Sequence, residues 1–503
     1  MRDAEMNPPI PKPADRNSLR RRCGLLLVVS VALGSVLPSP AGAGDADRDR
    51  RLSTTPRAFE ELTFHAAPKP LPKGAVTEDW PRFLGPTHNA VSRETKLLKT
   101  WPTTGPRLVW EMKTGAGFAS PSILNNRLVF FHRVGDEARV ECLDPASGKR
   151  YWQFAYSSDY KDRYGFNNGP RCGPVLDDGR VYVYGVEGKL HCLDLATGRL
   201  VWKRDISAEF KVPQDYFGVV PTPLVEGNLL IVNVGAPNGP CVVGFDKRTG
   251  KIVWKAGDQW GPSCASPIPG VVHGKRRVFV FAGGDSRPPT GGLLCIDPAN
   301  GKIDFRFPFR SKSYTSVNAS SPAIVGNQVF ISSAYNTGGT LLDVLADGSH
   351  KVAWHSEGLR AHFTTPIARE GFLYGFDGMS KSGMALTCVD LKTGDRRWRF
   401  QPDFPETVTI KGKQRIVHYT TGQGSLLFVD GRFLCLGEQG HLLWLNLSPK
   451  GYKEVARTWL FNADQTWGVP ALSRGLLYVL QNNRDALTGT PPRLLCYDLR
   501  AAD

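Results

Sequence analysis

Charged, amide and aromatic residues recur beside short apolar runs along this chain of 503 residues. Arginine binds anionic groups through paired hydrogen bonds, tryptophan stacks on flat rings, and aspartate accepts protons from a nearby hydroxyl. Brought together, these side chains would hold a flat anionic molecule. The candidate ligand-binding residues are Arg171, Asp285, Arg287, Asn318, His362, Asp377, Gln423 and Trp467. Phe118, Asn336, Glu438 and Asn482 lie at similar places, just before or just after such apolar runs.

Two of these positions, Asp285 and Asp377, would suit a general base, yet the motifs that define several enzyme classes are missing. There is no adjacent cysteine pair and no C-x-x-C, and the lack of C-x-x-C-H excludes covalently attached haem. The D-x-[DN]-x-[DN]-G calcium loop is missing, as are G-x-S-x-G, H-E-x-x-H and the P-loop. We therefore predict no catalytic residue and no metal site. As an alternative to a ligand site, the polar residues would form the wet lining of a channel.

A hairpin pattern that recurs about every fifty residues determines where these side chains lie. In each clear copy an aspartate precedes a glycine by four residues and an aromatic residue follows that glycine by four, as in Asp144, Gly148 and Trp152. The aspartate bonds the turn backbone, and the glycine supplies the positive φ that closes the turn. Clear copies occupy residues 142–152, 192–202, 244–254, 295–305 and 388–398, and looser copies occupy 343–354 and 446–459.

Each hairpin follows an apolar run, such as RVYVY at residues 180–184, and each run follows a small residue with a proline. One period therefore predicts four short strands and no helix. Units of this kind cannot bury their faces alone, so they stack radially as the blades of a β-propeller. The proline pairs lie at residues 120–121, 173–174, 222–223, 266–267, 321–322, 365–366 and 469–470.

The two ends of the repeat region predict that the ring closes on itself. Residues 494–498 reach the aspartate of a hairpin without a following outer strand, whereas residues 108–112 read as an outer strand without a preceding hairpin. Paired, they complete one blade, and seven internal hairpins then give an all-β, eight-bladed propeller over residues 79–503. An open solenoid would explain the period but not the complementary half-repeats. In a propeller, the candidate ligand-binding residues would meet at the mouth of the central channel.

The pattern of an apolar residue, aspartate, two variable residues, Thr-Gly-Lys and then tryptophan resembles the pyrroloquinoline-quinone-like (PQQ-like) propeller repeats. Quinoprotein alcohol dehydrogenases and the BamB lipoprotein of outer-membrane assembly share these repeats, so the resemblance implies the fold and leaves function open. It also implies that the repeated aromatic residue packs between adjacent blades. The matching residues are Trp110, Trp152, Trp202, Trp254, Phe305, Trp354, Trp398 and Trp459.

Residues 1–43 read as a signal peptide, which predicts export to the periplasm or cell envelope. Arginines at 20–22 precede an apolar stretch at 24–37, and small residues at 41–43 suit cleavage. The pair Arg21 and Arg22 suits twin-arginine export, with the general route as the alternative. Cys23 precedes the apolar stretch, where a lipoprotein acceptor cannot lie. Residues 44–78 are charged and bear prolines, so we expect a flexible linker.

Composition limits the redox chemistry and the partners. Five of the ten cysteines share one position, two residues before the turn aspartate, and we expect buried hydrophobic residues there rather than disulfides. They are Cys142, Cys192, Cys295, Cys388 and Cys496. The formal net charge of +16 suits peripheral contact with anionic surfaces, although solvated rims would explain it as well. Nucleic acid is not an expected partner of an exported protein.

We therefore predict an exported, monomeric PQQ-like propeller that works as a non-catalytic binding or scaffold module of the cell envelope, resembling BamB. Its expected partner is an envelope protein or glycan, and no cofactor is assigned. The alternative is a PQQ-dependent dehydrogenase that oxidises alcohols or sugars with PQQ and calcium. The resemblance implies an adjacent-cysteine disulfide for such dehydrogenases, and this chain lacks one. A glycan-binding or lyase-like propeller, with aromatic residues as sugar platforms, is a third alternative.

Overall fold

The computed structural model describes residues 55–214, 216–379 and 383–502. The predicted signal peptide, with Arg21, Arg22 and Cys23, and residues 44–54 of the predicted linker lie outside these ranges. Within them the regular secondary structure is almost entirely strand, numbered to β35, with one five-residue helix, α1 (Ile206–Phe210). No helix in the described ranges is long and apolar enough to cross a membrane.

The described strands form eight antiparallel blades in which neighbouring strands follow the chain. Blade 8 takes its outer strands from β1 (Leu62–Phe64) and β2 (Arg107–Lys113). Blade 1 contains β3 (Ser122–Leu124), β4 (Arg127–Val134), β5 (Glu137–Leu143) and β6 (Arg150–Ser157). Blade 2 contains β7 (Val175–Asp177), β8 (Arg180–Tyr184), β9 (Lys189–Asp194) and β10 (Leu200–Asp205). Blade 3 contains β11 (Leu224–Glu226), β12 (Leu229–Asn233), β13 (Val242–Asp246) and β14 (Ile252–Ala256).

The remaining blades continue this order around the ring. Blade 4 contains β15 (Ile268–Val272), β16 (Lys275–Ala282), β17 (Gly292–Ile296) and β18 (Ile303–Pro308). Blade 5 contains β19 (Ala323–Val325), β20 (Gln328–Ser333), β21 (Gly338–Val344) and β22 (His350–Ser356). Blade 6 contains β23 (Ile367–Arg369), β24 (Phe372–Asp377), β25 (Ala385–Asp390) and β26 (Arg396–Phe400), and a separate hairpin follows as β27 (Phe404–Ile410) and β28 (Lys413–Tyr419). Blade 7 contains β29 (Ser425–Val429), β30 (Arg432–Leu436), β31 (His441–Ser448) and β32 (Gly451–Trp459), and blade 8 begins with β33 (Ala471–Ser473), β34 (Leu476–Gln481) and β35 (Arg493–Asp498).

Blade 8 is built from segments far apart in the sequence. β2 pairs antiparallel with β35, which places Trp110 opposite Cys496 and Met112 opposite Leu494. β1 adds a fifth strand outside β2, with Phe64 opposite Trp110. The predicted eight-bladed ring, closed by two complementary half-blades, is therefore confirmed.

The seams between neighbouring blades repeat one contact, which explains the sequence pattern. Trp254 of blade 3 donates its indole hydrogen bond to the Pro298 carbonyl in the hairpin turn of blade 4, at 2.9 Å. Gly301 of that turn has a φ of +77°, and a β-carbon there would lie 2.7 Å from the Trp254 ring. Glycine is thus required both by the turn and by the close approach of the ring. Indole bonds to the next blade are also donated by Trp110, Trp152, Trp202, Trp354 and Trp398.

Blade 4 and blade 7 lack this indole bond for different reasons. Phe305 holds the equivalent position in blade 4, opposite Cys295, and phenylalanine has no donor. In blade 7 the position opposite Trp444, next to the strand bulge, is Ala456. The prediction for Trp459 as an interblade residue is therefore wrong: its ring stacks on a histidine within its own blade. Trp444 replaces the missing contact by donating to the Leu98 carbonyl at 3.0 Å.

Residues 55–78 are attached to the ring, so the flexible-linker prediction is wrong over this part of 44–78. Arg57 forms an antiparallel bridge with Arg150 of blade 1. The backbone N–H of Lys69 donates to Asp498 at 2.6 Å. Together with β1, these backbone contacts hold a segment that has no sustained apolar period.

Hydroxyl groups beside the prolines link the blades around the channel. The Ser122 hydroxyl donates to the Pro174 carbonyl of the next blade at 2.6 Å. The Ser266 hydroxyl accepts the N–H of Thr222, and the Ser321 hydroxyl accepts the N–H of Ser266, both at 2.9 Å. These serine hydroxyls therefore link the starts of first strands in adjacent blades.

The nine cysteines in the described ranges are free, and eight of them are buried. Burial raises the pKa of the Cys192 and Cys295 thiols to about 12. Thiols of this kind are inert at neutral pH. They fill blade interiors, as the repeated position in the sequence predicts.

Candidate functional site

The channel mouth collects two sets of loops, those that lead into the first strand of each blade and those that follow the second strand. Two loops of the first set are long. Residues 158–174 lead into blade 2, and residues 206–223, which contain α1, lead into blade 3. The Asp205 side chain caps α1 by accepting the N–H of Ala208.

An aromatic cluster, composed of Phe118, Phe166, Phe217, Phe363 and Trp467, lies across the channel mouth. The Trp467 ring is 5.3 Å from both Phe118 and Phe363, and 5.9 Å from Phe166. The Phe166 ring in turn is 6.0 Å from Phe217. The loops that lead into blades 1, 2, 3, 6 and 8 carry Phe118, Phe166, Phe217, Phe363 and Trp467, respectively. Such distant blades meet only near the axis of the ring. The aromatic cluster therefore fills the mouth.

A buried ion pair supports the loop that carries Phe166. Asp162 lies 2.5 Å from Arg171, and their side chains are 0% and 7% exposed. The second oxygen of Asp162 accepts the N–H groups of Tyr164 and Phe166. Arg171 also donates to the Phe217 carbonyl at 2.6 Å. The guanidinium that the sequence offered to an anionic ligand is therefore already bound within the protein.

Asp377 is fully buried among three arginines. Arg360 makes two contacts of 3.0 Å with the carboxylate, Arg399 lies at 2.9 Å, and Arg396 lies at 3.5 Å. Burial acts to raise the pKa of Asp377, but the hydrogen bonds from Arg360 and Arg399 outweigh it and hold the pKa below its ordinary value. A carboxylate kept ionised by three cations is a poor proton acceptor near neutral pH.

His362, Gln423 and Trp467 share one hydrogen-bonded network with Glu438. His362 lies 3.0 Å from the Gln423 side-chain oxygen and 3.1 Å from the Tyr335 hydroxyl. Glu438 accepts the Trp467 indole N–H and the Gln423 backbone N–H, both at 3.0 Å. Burial lowers the pKa of His362 to about 4, so the imidazole is neutral at pH 7.

The other three candidates lie on the loops of blades 4 and 5. Asn318 is fully buried and donates to two backbone carbonyls, at 2.8 and 2.9 Å. Asp285 lies 3.5 Å from Arg163 of the blade 2 loop. The Arg287 guanidinium lies 5.0 Å above the Tyr314 ring. Asn318 therefore fastens loops, whereas Asp285 and Arg287 are exposed at the outer side of the mouth.

The structure thus brings Arg171, His362, Gln423 and Trp467 to the aromatic cluster or its supports. Asp377 also lies on the mouth face, but it contacts arginines and not the aromatic cluster. Their assignment to a ligand stays a prediction. Sequence reasoning missed Phe166, Phe217 and Phe363, which contribute most of the aromatic surface. The available signal was the density of aromatic residues in the long loops, including 160–166 and 216–217.

A closed ring of eight four-stranded blades, with hairpin turns that receive a tryptophan of the preceding blade, defines a PQQ-like β-propeller. A family model described as outer membrane protein assembly factor BamB matches residues 136–400, just over half of the chain. The chain belongs to this family, and the resemblance read from the sequence is confirmed.

Solved structures share the fold at low sequence identity. The europium-containing methanol dehydrogenase has a TM-score of 0.61 at 11% identity, over 84% of this chain and 98% of its own. BamB from Moraxella catarrhalis has a TM-score of 0.52 at 14% identity, over 78% and 100%. The quinohemoprotein alcohol dehydrogenase from Comamonas testosteroni has a TM-score of 0.53 at 14% identity, over 84% and 81%. None of the curated proteins matches the chain in sequence.

Proposed function

We propose that this protein is an exported, non-catalytic binding or scaffold module of the cell envelope, and that the channel mouth is its contact face. The observation that carries the proposal is that the polar groups at the mouth are paired with one another. Arg171 is paired with Asp162, and Asp377 is held by three arginines. Such a face is preorganised for contact and offers few groups for reaction.

The outer side of the mouth presents apolar and cationic side chains to solvent. Tyr164 is 55% exposed, Phe166 40% and Tyr314 47%. Arg163 lies on the loop of Tyr164 and Phe166, and Arg287 lies over the Tyr314 ring from a neighbouring loop. Exposed aromatic and arginine side chains in proximity are typical of protein interfaces, and exposed apolar patches mark binding surfaces. A protein partner is therefore favoured, and a glycan that stacks on the same rings is the second outcome that the experiment must separate.

The competing function is PQQ-dependent oxidation of alcohols or sugars. A redox quinone must lie flat, with a cation at its reactive carbonyl and a carboxylate base near the substrate hydroxyl. At the mouth the aromatic cluster takes the space of such a ring, and Asp377 is tied to arginines. The described residues also contain no group of three or more His, Cys, Asp or Glu side chains placed to hold a metal ion. The aromatic cluster at the mouth and the arginine-bound Asp377 therefore favour the binding module over PQQ-dependent oxidation.

Site-specific photo-crosslinking tests the contact face. A photoreactive phenylalanine analogue replaces Phe166 or, as a matched control, Phe400, which is 43% exposed on the outer strand of blade 6. We expect a discrete protein adduct in the cell envelope from position 166 and none from position 400. Equal labelling at both positions would contradict the contact face, and an adduct sensitive to glycosidases would identify a glycan partner.

Titration with PQQ and Ca²⁺ tests the competing function. We expect no dye-linked oxidation of alcohols or sugars and at most weak binding of the quinone. Robust turnover that is abolished by Asp285→Asn or Asp377→Asn would establish the dehydrogenase instead.

Export has its own test. Terminal sequencing of protein from the envelope fraction should find a mature N-terminus near Gly44, because residues 41–43 suit a signal peptidase. Cytoplasmic protein that retains Met1 would refute export. Replacing Arg21 and Arg22 by lysine should block export only on the twin-arginine route.

A further inference from the structure

A cavity of about 290 Å³ opens on the channel-mouth face between blades 2 and 3. It is separate from the aromatic cluster and lies under the two long loops. The Gln214 side chain donates to the Lys161 carbonyl at 2.9 Å, and Arg163 donates to the Gln214 carbonyl at 2.8 Å. These two bonds tie the loops together above the cavity. Its volume is roughly twice that of a 150 Å³ protein cavity that holds benzene.

The cavity contains a buried amide oxygen that has no partner. Asn233, at the end of β12, lines the cavity and is 3% exposed. Its Nδ2 donates to the Ser263 hydroxyl at 3.1 Å, while that hydroxyl donates to the Ala265 carbonyl at 3.2 Å. The hydroxyl proton is used by the Ala265 carbonyl, so this network places the Asn233 nitrogen, rather than the oxygen, toward Ser263. Asn233 Oδ1 is left without a hydrogen-bond partner among the described residues.

The same cavity is lined by the carboxylate of Glu187, which has no ion-pair partner among the described residues although Lys161 also lines the cavity. Glu187, in the turn between β8 and β9, accepts a hydrogen bond from the Ser158 hydroxyl at 3.0 Å. In the described part of the chain, no lysine, arginine or histidine lies within 4.0 Å of this carboxylate. Elsewhere in the protein, buried carboxylates such as Asp162 and Asp377 do have arginine partners. Proteins rarely leave a partly buried charge without a counter-charge.

The remaining walls combine apolar side chains, among them Val186, Val212 and Val219, with the charged residues Asp159 and Lys161. The lining therefore carries two carboxylates and one ammonium group, a net negative charge, beside an apolar wall and the Asn233 amide oxygen. A ligand that only accepts hydrogen bonds, such as a carboxylate or phosphate, would meet repulsion from Glu187. A ligand with a cationic donor would satisfy both Glu187 and Asn233.

We infer that this cavity is a binding site for a small organic ammonium compound. The ammonium group donates hydrogen bonds to Glu187 and to Asn233 Oδ1, and an apolar portion of a few carbon atoms rests on the valines. The site goes beyond the proposed scaffold function, because it requires neither the aromatic cluster nor a protein partner. It adds a small-molecule ligand to the same face.

Calorimetric titration with matched probes tests the inference. Benzylammonium carries the charge, and benzyl alcohol has nearly the same shape without it. We expect benzylammonium to bind the full-length protein more tightly than benzyl alcohol. In Glu187→Gln, the affinity for benzylammonium should fall about 30-fold or more, since one partner of a buried charge pair is lost. In Asn233→Asp, a second carboxylate should increase that affinity, about tenfold.

The outcomes separate cleanly. Glu357→Gln, the same substitution at an exposed residue of the loop that leads into blade 6 and outside the cavity, should leave binding unchanged. Equal affinity for the two probes, or binding that survives Glu187→Gln, would overturn the inference and leave only an apolar cavity. Lack of benzylammonium binding at tens of millimolar would overturn it as well. Where Glu187→Gln fails to fold, weaker binding in Asn233→Asp contradicts the site and tighter binding supports it.

Discussion

At the seam between blades 3 and 4, Trp254 meets a turn glycine and a carbonyl that recur at neighbouring seams. At the channel mouth, Trp467 meets Phe118 and Phe363. Each of these three residues lies three positions before the proline of its blade, a point that Arg171 occupies in blade 2. Trp254 and Trp467 both have a satisfied indole N–H. The seam residue meets a constraint that six of the eight blades share, whereas the mouth residue belongs to loops whose length and composition differ from blade to blade. Shared constraints give a repeat, and unshared ones give an individual surface.

The largest expected effect comes from breaking the seam within blade 8. Deletion of residues 494–503 removes the partner of β2 and exposes two strand edges together with buried leucines. We expect loss of the cooperative thermal transition and aggregation, followed by circular dichroism and light scattering. Deletion of residues 502–503 alone is the control. An unchanged melt after the long deletion would contradict ring closure.

The seam and the mouth should differ in what a tryptophan contributes to stability. Trp254→Ala should lower the free energy of unfolding by about 3–5 kcal/mol, because it leaves a cavity at a seam where the ring is 7% exposed. Trp254→Phe should cost about 1 kcal/mol, the value of the indole bond, and Phe305 already holds this position in blade 4. Trp467→Ala, at a half-buried residue, should cost less than Trp254→Ala. Urea unfolding measures all three, and equal losses from the two alanine variants would abolish the distinction.

The arginine cage, in which Arg360, Arg396 and Arg399 surround Asp377, tests whether ion pairs at the mouth stabilise the fold. Asp377→Asn should destabilise the fold by about 3 kcal/mol at pH 7, since three arginines lose their buried partner. The pKa of Asp377 is lower in the folded state than in the unfolded chain, so its stabilisation is present above about pH 4 and is lost as pH falls through the folded value. The difference between wild type and Asp377→Asn should therefore shrink in acid. A constant difference down to pH 2 would contradict the cage.

The smallest effect at pH 7 concerns His362, whose contribution emerges only in acid. Its pKa is about 4 when folded and near 6.5 when unfolded, so the unfolded chain takes up an extra proton between these values. Proton uptake by unfolded His362 should therefore lower the free energy of unfolding as pH drops from 6.5 to 4, by up to about 1.4 kcal/mol per pH unit. His362→Gln should remove that contribution, measured as a shallower dependence of the unfolding free energy on pH. An identical pH dependence in the variant would show that His362 is not held neutral.

Sequence and structure agree where the repeat is regular. The turn aspartates, the glycines and the two half-blades specify the ring because each recurs in register with a tryptophan. Trp459 was misassigned because the copy at 446–459 is loose: the strand bulge places Ala456 opposite Trp444, three residues earlier. Residues 55–78 were misassigned because single backbone bridges leave no periodic pattern in the sequence. The aromatic cluster could not be assembled from sequence, since its members lie on loops of five different blades and only the closed ring brings them together.

The pairing of β2 with β35 also means that β2 is synthesised long before its partner strand. Arg493 of β35 reaches Glu111 of β2 across 382 positions of the chain. At about 5–20 residues per second, roughly 20–80 s separate the two strands as the chain emerges. During that interval Trp110, fully buried in the finished ring, can reach the Pro145 carbonyl of blade 1 but lacks Tyr478 and β35 of its own blade. Until β35 emerges, β2 therefore lacks its inner neighbour, and a product that stops short of β35 carries an unpaired strand that a protease can recognise.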